Sequence, residues 1–332
     1  MIKEFPNFIV QSNEGLYCQS ADLWIDPFKP VKRAIITHAH FDHMAFGCGE
    51  YISSIETGLL IKERLGNSIN LKTYGYEDIF FINGIKFSLY PSGHVLGASQ
   101  IKIDNGSETW LITGDFKRQL DKTCKNFIKL KTDFLICEST FGLPIFNWEP
   151  TEKIIKDISS WVTESEEETS ILFCYTLGKA QRLLSELRNK QIKNIYVHKS
   201  INKINKIYKN LGIDLSEIKL FENDSSQIFY KNDLILLPPS LNNEKFLKRF
   251  KKVQTGFASG WMSIRALRKR SGFDKGFAIS DHADWNGLVK TILESNAQSV
   301  FLNHGDGESL AKYIRDKFKI KINSLINLNE SK

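Results

Sequence analysis

The segment THAHFDH, residues 37–43, constrains this chain more than any other. It sets His38, His40, Asp42 and His43 within six positions, directly after the β-rich run RAIIT. A helix would scatter these side chains around its axis, whereas a loop leaving a strand can turn all four to one side. Imidazole and carboxylate together suit zinc, and the crowding points to two ions instead of one. An ordinary polar loop seldom gathers three histidines and an aspartate so tightly.

Three further segments repeat the same geometry. SGHVLGAS (92–99) carries His94, TGD (113–115) carries Asp115, and NHG (303–305) carries His304. Each alone is weak, since an Asp after a strand is commonly a turn or cap residue. Together they describe strand ends that deliver ligands into glycine-containing loops, and such sites collect at one edge of a sheet. Glu138 in ICESTFG and His282 in AISDHADW occupy similar positions. Of the seven histidines, only His198 stands in an ordinary context, and it reads as structural or surface.

The surrounding patterns give the fold class. LWIDP, RAIIT, IKFSLYP, SQIKID and TWLITGD are short β-rich runs closed by turn residues. FLICEST and ILFCYTLG are bounded apolar runs of the kind buried in parallel sheets. Helical periodicity follows in TEKIIKDISSWVTESEEE and KAQRLLSELRNK, then NIYVHKS, a lysine-rich helical run and DLILLPPS continue the alternation. GFAISDHAD and SVFLNHGD return to strand-then-loop character, each before a helical pattern. The expected fold is α/β, with residues 1–145 and 275–332 forming a discontinuous domain around an inserted α/β domain at 146–274.

At this point the motifs resemble a family. H-x-H-x-D-H, a later Gly-His, a later Gly-Asp and a late His are similar to the metallo-β-lactamase fold. Glu138, His282 and His304, with an inserted α/β region, resemble the extra motifs of the β-CASP nucleases. These include the pre-mRNA 3′-end endonuclease, ribonuclease J and Artemis-type DNA nucleases; Artemis-type members lack the late His that this chain keeps. The compact length, GLYCQSADLWIDPFKPVKRAIITHAHFDH and GWMSIRALRKRSGFDKGFAISDHADW look closest to bacterial DNA-ligase-associated exonucleases.

The resemblance implies an αββα sandwich with two zinc ions at one edge. One ion would take His38, His40, His94 and a shared Asp115. The other would take Asp42, His43, Asp115 and His304, with Asp26 in WIDP supporting the site from behind. Asp42 would steer the attacking water. His282 would protonate the leaving 3′-oxygen, since imidazole titrates near working pH. Glu138 would hold its other ring nitrogen. Manganese suits the same donor set.

Two loops are candidates for substrate phosphate. YTLGKAQR (175–182) ends a strand and opens a helix, offering Gly178, Lys179, Gln181 and Arg182. TGFASGWM (255–262) offers Ser259 and Gly260, with Trp261 available for stacking. Nearby, Lys245, Lys248, Arg249, Lys251, Lys252, Arg265, Arg268, Lys269 and Arg270 form a basic run that could track a single strand.

The net charge of +7 suits a polyanionic partner, and 42% hydrophobic residues exclude a disordered chain. The five scattered cysteines read as reduced thiols in a cytoplasmic protein. No stretch reaches the length of a membrane span, and the N-terminus lacks a signal h-region. The expected activity is zinc-dependent hydrolysis of DNA phosphodiesters by a repair exonuclease. An RNA endo- or exonuclease of the same family is the nearest alternative. A small-molecule hydrolase would not need the inserted domain, and a non-catalytic scaffold would not need every ligand position filled. The resemblance suggests an ATP-dependent DNA ligase and a helicase as partners.

Overall fold

The computed structural model describes residues 8–165, 168–222, 232–250, 252–305 and 307–326. The chain forms two compact units, one of residues 1–120, 124–143 and 282–332, the other of 121–123 and 144–281.

The first unit holds two sheets. In the first, Ile9–Gln11, Leu16–Cys18, Leu23–Ile25, Arg33–Ile35, Glu50–Ser54 and Leu71–Tyr74 lie in chain order. In the second, the order is Lys321–Asn323, Ser299–Asn303, Phe134–Glu138, Thr109–Ile112, Ser99–Asp104, Ile85–Pro91 and Ile79–Ile82. Strand side chains alternate between faces, and three neighbouring strands of the second sheet show the consequence. Trp110, Ile112, Ile136 and Phe301 join Leu23, Ile25, Ile35 and Ile52 of the first sheet in one core. Their chain neighbours Leu111, Leu135, Cys137 and Val300 point the other way. There they meet Leu288 and Ile292 of helix Trp285–Ser295, and Leu310 and Ile314 of helix Glu308–Phe318. Covering both faces explains why FLIC is apolar throughout. The first sheet is backed by helix Ile55–Leu65, which buries Leu60 and Ile61 and is capped by Ser54 Oγ accepting from the Thr57 amide. The strand-and-turn reading of this part of the sequence omits that helix.

The second unit is built on a wholly parallel sheet. Its order is Lys219–Leu220, Asn194–Val197, Asp233–Leu237, Thr169–Phe173, Val253–Ala258 and Lys275–Phe277. The expected end of the inserted domain at 274 moves to 281, because Lys275–Phe277 pairs with Val253–Ala258 as the edge strand. The chain builds outward in one direction from Thr169–Phe173, then crosses it to continue in the other. Crevices at the carboxyl ends of such reversals are where parallel sheets bind ligands.

Lys179 and Arg182 are inside this unit, and their expected role needs correcting. Both are almost fully buried. Lys179 Nζ lies 3.0 Å from Asp281, and Arg182 pairs with Asp281 at 3.3 Å and Asp121 at 3.7 Å. Arg182 also donates to the Ser280 carbonyl at 2.6 Å and to Thr151 Oγ1 at 2.7 Å. Gly178, in the left-handed region at φ +86, gives its amide to Gln181 Oε1, and Gln181 Nε2 donates to Thr176 O and Asn205 Oδ1. A cation stripped of water needs such partners, so these side chains brace the unit and are not presented to a phosphate. Replacing Arg182 by alanine removes the guanidinium shared by two buried carboxylates, leaving Asp281 to Lys179 and Asp121 to Thr123, and should lower the unfolding free energy by about 3 kcal/mol. Arg188→Ala removes an ion pair to Asp214 that stands largely in water and should cost under about 1 kcal/mol. Urea denaturation of the two variants checks this, and equal losses would contradict it.

Candidate metal centre

Each ligand loop leaves the carboxyl end of a strand, and tight backbone approaches bring the loops together. Gly114, at φ +52, lets the TGD turn close on Thr37: a Cβ there would stand 2.7 Å from Thr37 Cβ. Gly93, at φ +76, does the same for the His94 loop, where a Cβ would meet the Lys117 carbonyl oxygen at 2.5 Å. Asp26 fixes the loop between them. Its carboxylate accepts from the Thr37 amide at 2.7 Å, from Thr37 Oγ1 at 2.5 Å and from His43 Nδ1 at 2.8 Å. That triple contact holds Asp26 at φ +45, a left-handed conformation unusual for a residue other than glycine.

The result is a convergence of donors. His40 Nδ1 lies 3.0 Å from His38 Nε2 and 3.1 Å from His94 Nε2. Asp115 Oδ2 stands 3.5 Å from the former and 3.8 Å from the latter. Zinc with metal–nitrogen bonds of 2.0–2.1 Å sets neighbouring tetrahedral donors roughly 3.3 Å apart, so the spacing fits. One ring nitrogen cannot satisfy two others by hydrogen bonding, since it either donates once or accepts once. Asp115 Oδ1 is buried without a hydrogen-bond partner, a costly state for a carboxylate oxygen unless a cation answers it. Donor chemistry, spacing and this orphan oxygen together fit a metal ion held by His38, His40, His94 and Asp115, a grouping that the fold brings together.

The residues expected around a second ion are also adjacent in part. His43 Nε2 is 3.4 Å from Asp115 Oδ2, and the His43 and His304 rings are 4.6 Å apart. His304 stands at φ +54, with its carbonyl accepting from the Ser139 amide and hydroxyl. Asp42 is exposed in the short turn Phe41–His43.

Electrostatics mark the same centre. Burial, then the neighbouring His43 and His94, holds His38 well below the usual imidazole range. At His43 burial opposes charge, yet Asp115 and Asp26 outweigh it and push the imidazole well above that range. Asp115 resists burial in turn and is held well below the carboxylate range by His43, His282 and His38.

His282 and Glu138 form the flank. His282 Nδ1 lies 2.9 Å from Glu138 Oε2, while Glu138 Oε1 accepts from the Phe116 amide at 2.6 Å. Glu138 is buried, His282 retains 22% of its side-chain exposure, and its ring is 4.6 Å from that of His94. A carboxylate so anchored accepts a hydrogen bond from Nδ1–H, keeps that proton on the ring and leaves Nε2 for exchange. Asp115, Glu138 and His282 also form a second cluster of potential ligands.

Ser259 and Gly260 are buried at the carboxyl end of Val253–Ala258, where Ser259 receives a hydrogen bond at its carbonyl from Met262. The strand reaches Ala258, so the TGFA portion is sheet and only the remainder is loop. Helix Arg265–Arg270 exposes Arg265, Arg268, Lys269 and Arg270, as do Lys245, Lys248, Arg249 and Lys252 nearby in sequence; Lys251 lies outside the described residues. His198 caps helix Lys199–Asn210 by accepting from the Ser200 amide. Sequence reasoning missed Thr37, which carries Asp26, and the buried Lys117, whose ammonium donates to the His94 carbonyl at 3.3 Å. Nothing local in GDFK distinguishes that lysine from a solvated one. All five cysteines are free thiols. Among the described residues no helix is long and apolar enough to cross a membrane.

No protein-family model matches the chain. Over 93% of its length it is 28% identical to a protein of Opitutus terrae named Probable DNA ligase, of which it spans 30%. It is 28% identical over 53% of its length to Endoribonuclease YSH1 of Eremothecium gossypii, spanning 25% of that protein. Cleavage and polyadenylation specificity factor subunit 3 of Dictyostelium discoideum is 36% identical over 35% of the chain, which spans 15% of that relative. The chain thus corresponds to under a third of each of these relatives. The YSH1 and specificity-factor relatives are β-CASP nucleases of metallo-β-lactamase type, and they fit the family that the motifs resemble. A crystal structure of a protein of unknown function from Enterococcus faecalis superposes with a TM-score of 0.60 at 14% identity, covering 88% of this chain and 78% of that one.

Proposed function

We propose that this chain, whose relatives include β-CASP metallo-β-lactamase nucleases, is a zinc-dependent nuclease that hydrolyses DNA phosphodiester bonds as a repair exonuclease. The observation that carries the reading is the meeting of His38, His40 and His94 nitrogens with a buried carboxylate, one of whose oxygens has no other partner. In this reading the two packed sheets and their outer helices are the αββα sandwich of that fold, and the parallel unit is its β-CASP insertion.

When bound, a zinc pair would lower the pKa of a shared water toward neutrality and neutralise charge on the reacting phosphate. His38, His40, His94 and Asp115 would hold one ion, and Asp42, His43, Asp115 and His304 the other; manganese suits the same donors. Asp42 orients the attacking water. Glu138 keeps the His282 proton on Nδ1 during exchange, so His282 Nε2 is the atom that protonates the leaving 3′-oxygen. Ser259 and Gly260, at the reversal point of the parallel sheet, are the candidates for a backbone phosphate.

DNA is favoured by the extent of similarity: the match to the Opitutus terrae protein runs through nearly the whole chain, while the endoribonuclease matches cover about half or less. An ATP-dependent DNA ligase and a helicase as partners, and a cytoplasmic location, rest on the resemblance alone. The RNA reading draws on the number of endoribonuclease relatives. Incubating the protein with 5′- and 3′-labelled DNA and RNA single strands separates them. Stepwise shortening of DNA is expected; internal cuts confined to RNA would favour the second reading, and intact strands would refute both.

The basic helix and its neighbours are assigned to the strand's backbone. Charge reversal at Arg249 and Lys252 is expected to weaken binding of single strands. It should also make the salt dependence of binding shallower, by roughly 0.7 of a unit of slope for each phosphate that is no longer neutralised. An unchanged slope in filter-binding titrations would place those residues away from the substrate.

A further inference from the structure

The loop that carries the metal ligands also presents two phenyl rings to water. Phe41 sits between His40 and Asp42, and Phe46 follows His43 by three residues. Each is 58% exposed, although the same loop buries Met44 and Ala45 almost completely. The loop therefore has an inside, and the phenyl rings are not in it. Their planes lie within 15° of parallel, with centroids 6.2 Å apart. The guanidinium of Arg64, from the last turn of helix Ile55–Leu65, stands 4.2 Å from the Phe41 centroid. Even beside Arg64 and Phe46, Phe41 keeps more than half of its surface in water, as does Phe46.

We propose that Phe41 and Phe46 form a base-stacking subsite, holding the nucleobase beside the cleaved phosphate of a single strand while Arg64 attracts an adjoining phosphate. The inference rests on the nuclease reading and deepens it by naming how the substrate is gripped next to the metals. Every nucleobase offers a π face, so aromatic stacking holds a strand without reading its sequence. A cation over the ring adds attraction for the backbone that a purely hydrophobic protein contact would not need. Unpaired bases can reach such rings, whereas bases inside a duplex cannot, so the subsite selects single-stranded or frayed ends.

The full chain is compared with F41A/F46A and with F41W/F46W, using a single-stranded oligonucleotide that contains 2-aminopurine. The double alanine variant should raise KM roughly tenfold or more, with a much smaller change in kcat and unchanged zinc content. The tryptophan variant should retain tight binding. In chelator, binding to the wild type should quench 2-aminopurine fluorescence, and binding to the alanine variant should not. Quenching without any cleavage by the wild type would refute the nuclease reading and keep the subsite. Equal KM values for wild type and alanine variant, with no quenching difference, would overturn the subsite and leave the rings to a protein contact.

Discussion

His40→Ala is expected to reduce cleavage by at least about a thousandfold while the protein stays folded. Loss of an ion that polarises the reacting phosphate removes several kcal/mol of transition-state stabilisation, and each 1.36 kcal/mol is about tenfold in rate. His40 is the sharpest choice because its Nδ1 is the atom that faces both His38 and His94. It is also only partly buried and belongs to neither of the apolar clusters described for its unit. The apolar contacts that support the sheets are therefore untouched. Initial rates on a labelled strand, with a thermal melt followed by circular dichroism, separate activity from folding. Retained activity in a folded variant would remove the site.

His282→Ala is expected to lower kcat by roughly a hundred- to ten-thousandfold, the range of a positioned general acid, with metal content preserved. The geometry sets two roles against each other. A 2.9 Å contact to a carboxylate that is itself anchored by the Phe116 amide is the arrangement of an acid held in one tautomer. Yet Asp115, Glu138 and His282 also lie close enough together to ligate. Elemental analysis beside the rate measurement decides: equal loss of metal and turnover would make His282 a ligand. Glu138→Gln should also lower kcat, because an amide can accept from only one of the Phe116 amide and His282 Nδ1 and cannot stabilise the charged ring.

Much of the site was legible because its chemistry is local. THAHFDH carries its own meaning, and the strand ends at His94, Asp115 and His304 are marked by the glycines that let them approach. The fold was legible where burial imposes a pattern, as in FLIC and DLILL, whose residues are covered on both faces. It was obscure where local signals conflict. Helix Ile55–Leu65 includes the β-branched Ile55 and Thr57 and the helix-weakening Gly58, and its beginning is set by the Ser54 cap. The strand Lys275–Phe277 is three residues long and exists because Val253–Ala258 offers it a partner. Lys179 and Arg182 show the deeper limit. In sequence they look like cations beside a glycine turn. Their carboxylates, Asp121 and Asp281, are remote in the chain, and only the fold reveals that the charges answer one another.

If the converging imidazoles and carboxylates bind metal, the purified chain carries zinc after dialysis against dilute zinc, and His40→Ala treated alongside carries less. About two ions per wild-type chain are predicted, with at least one lost in the variant. A wild-type chain that retains no ion, or a variant that retains as many, would contradict metal binding by these residues.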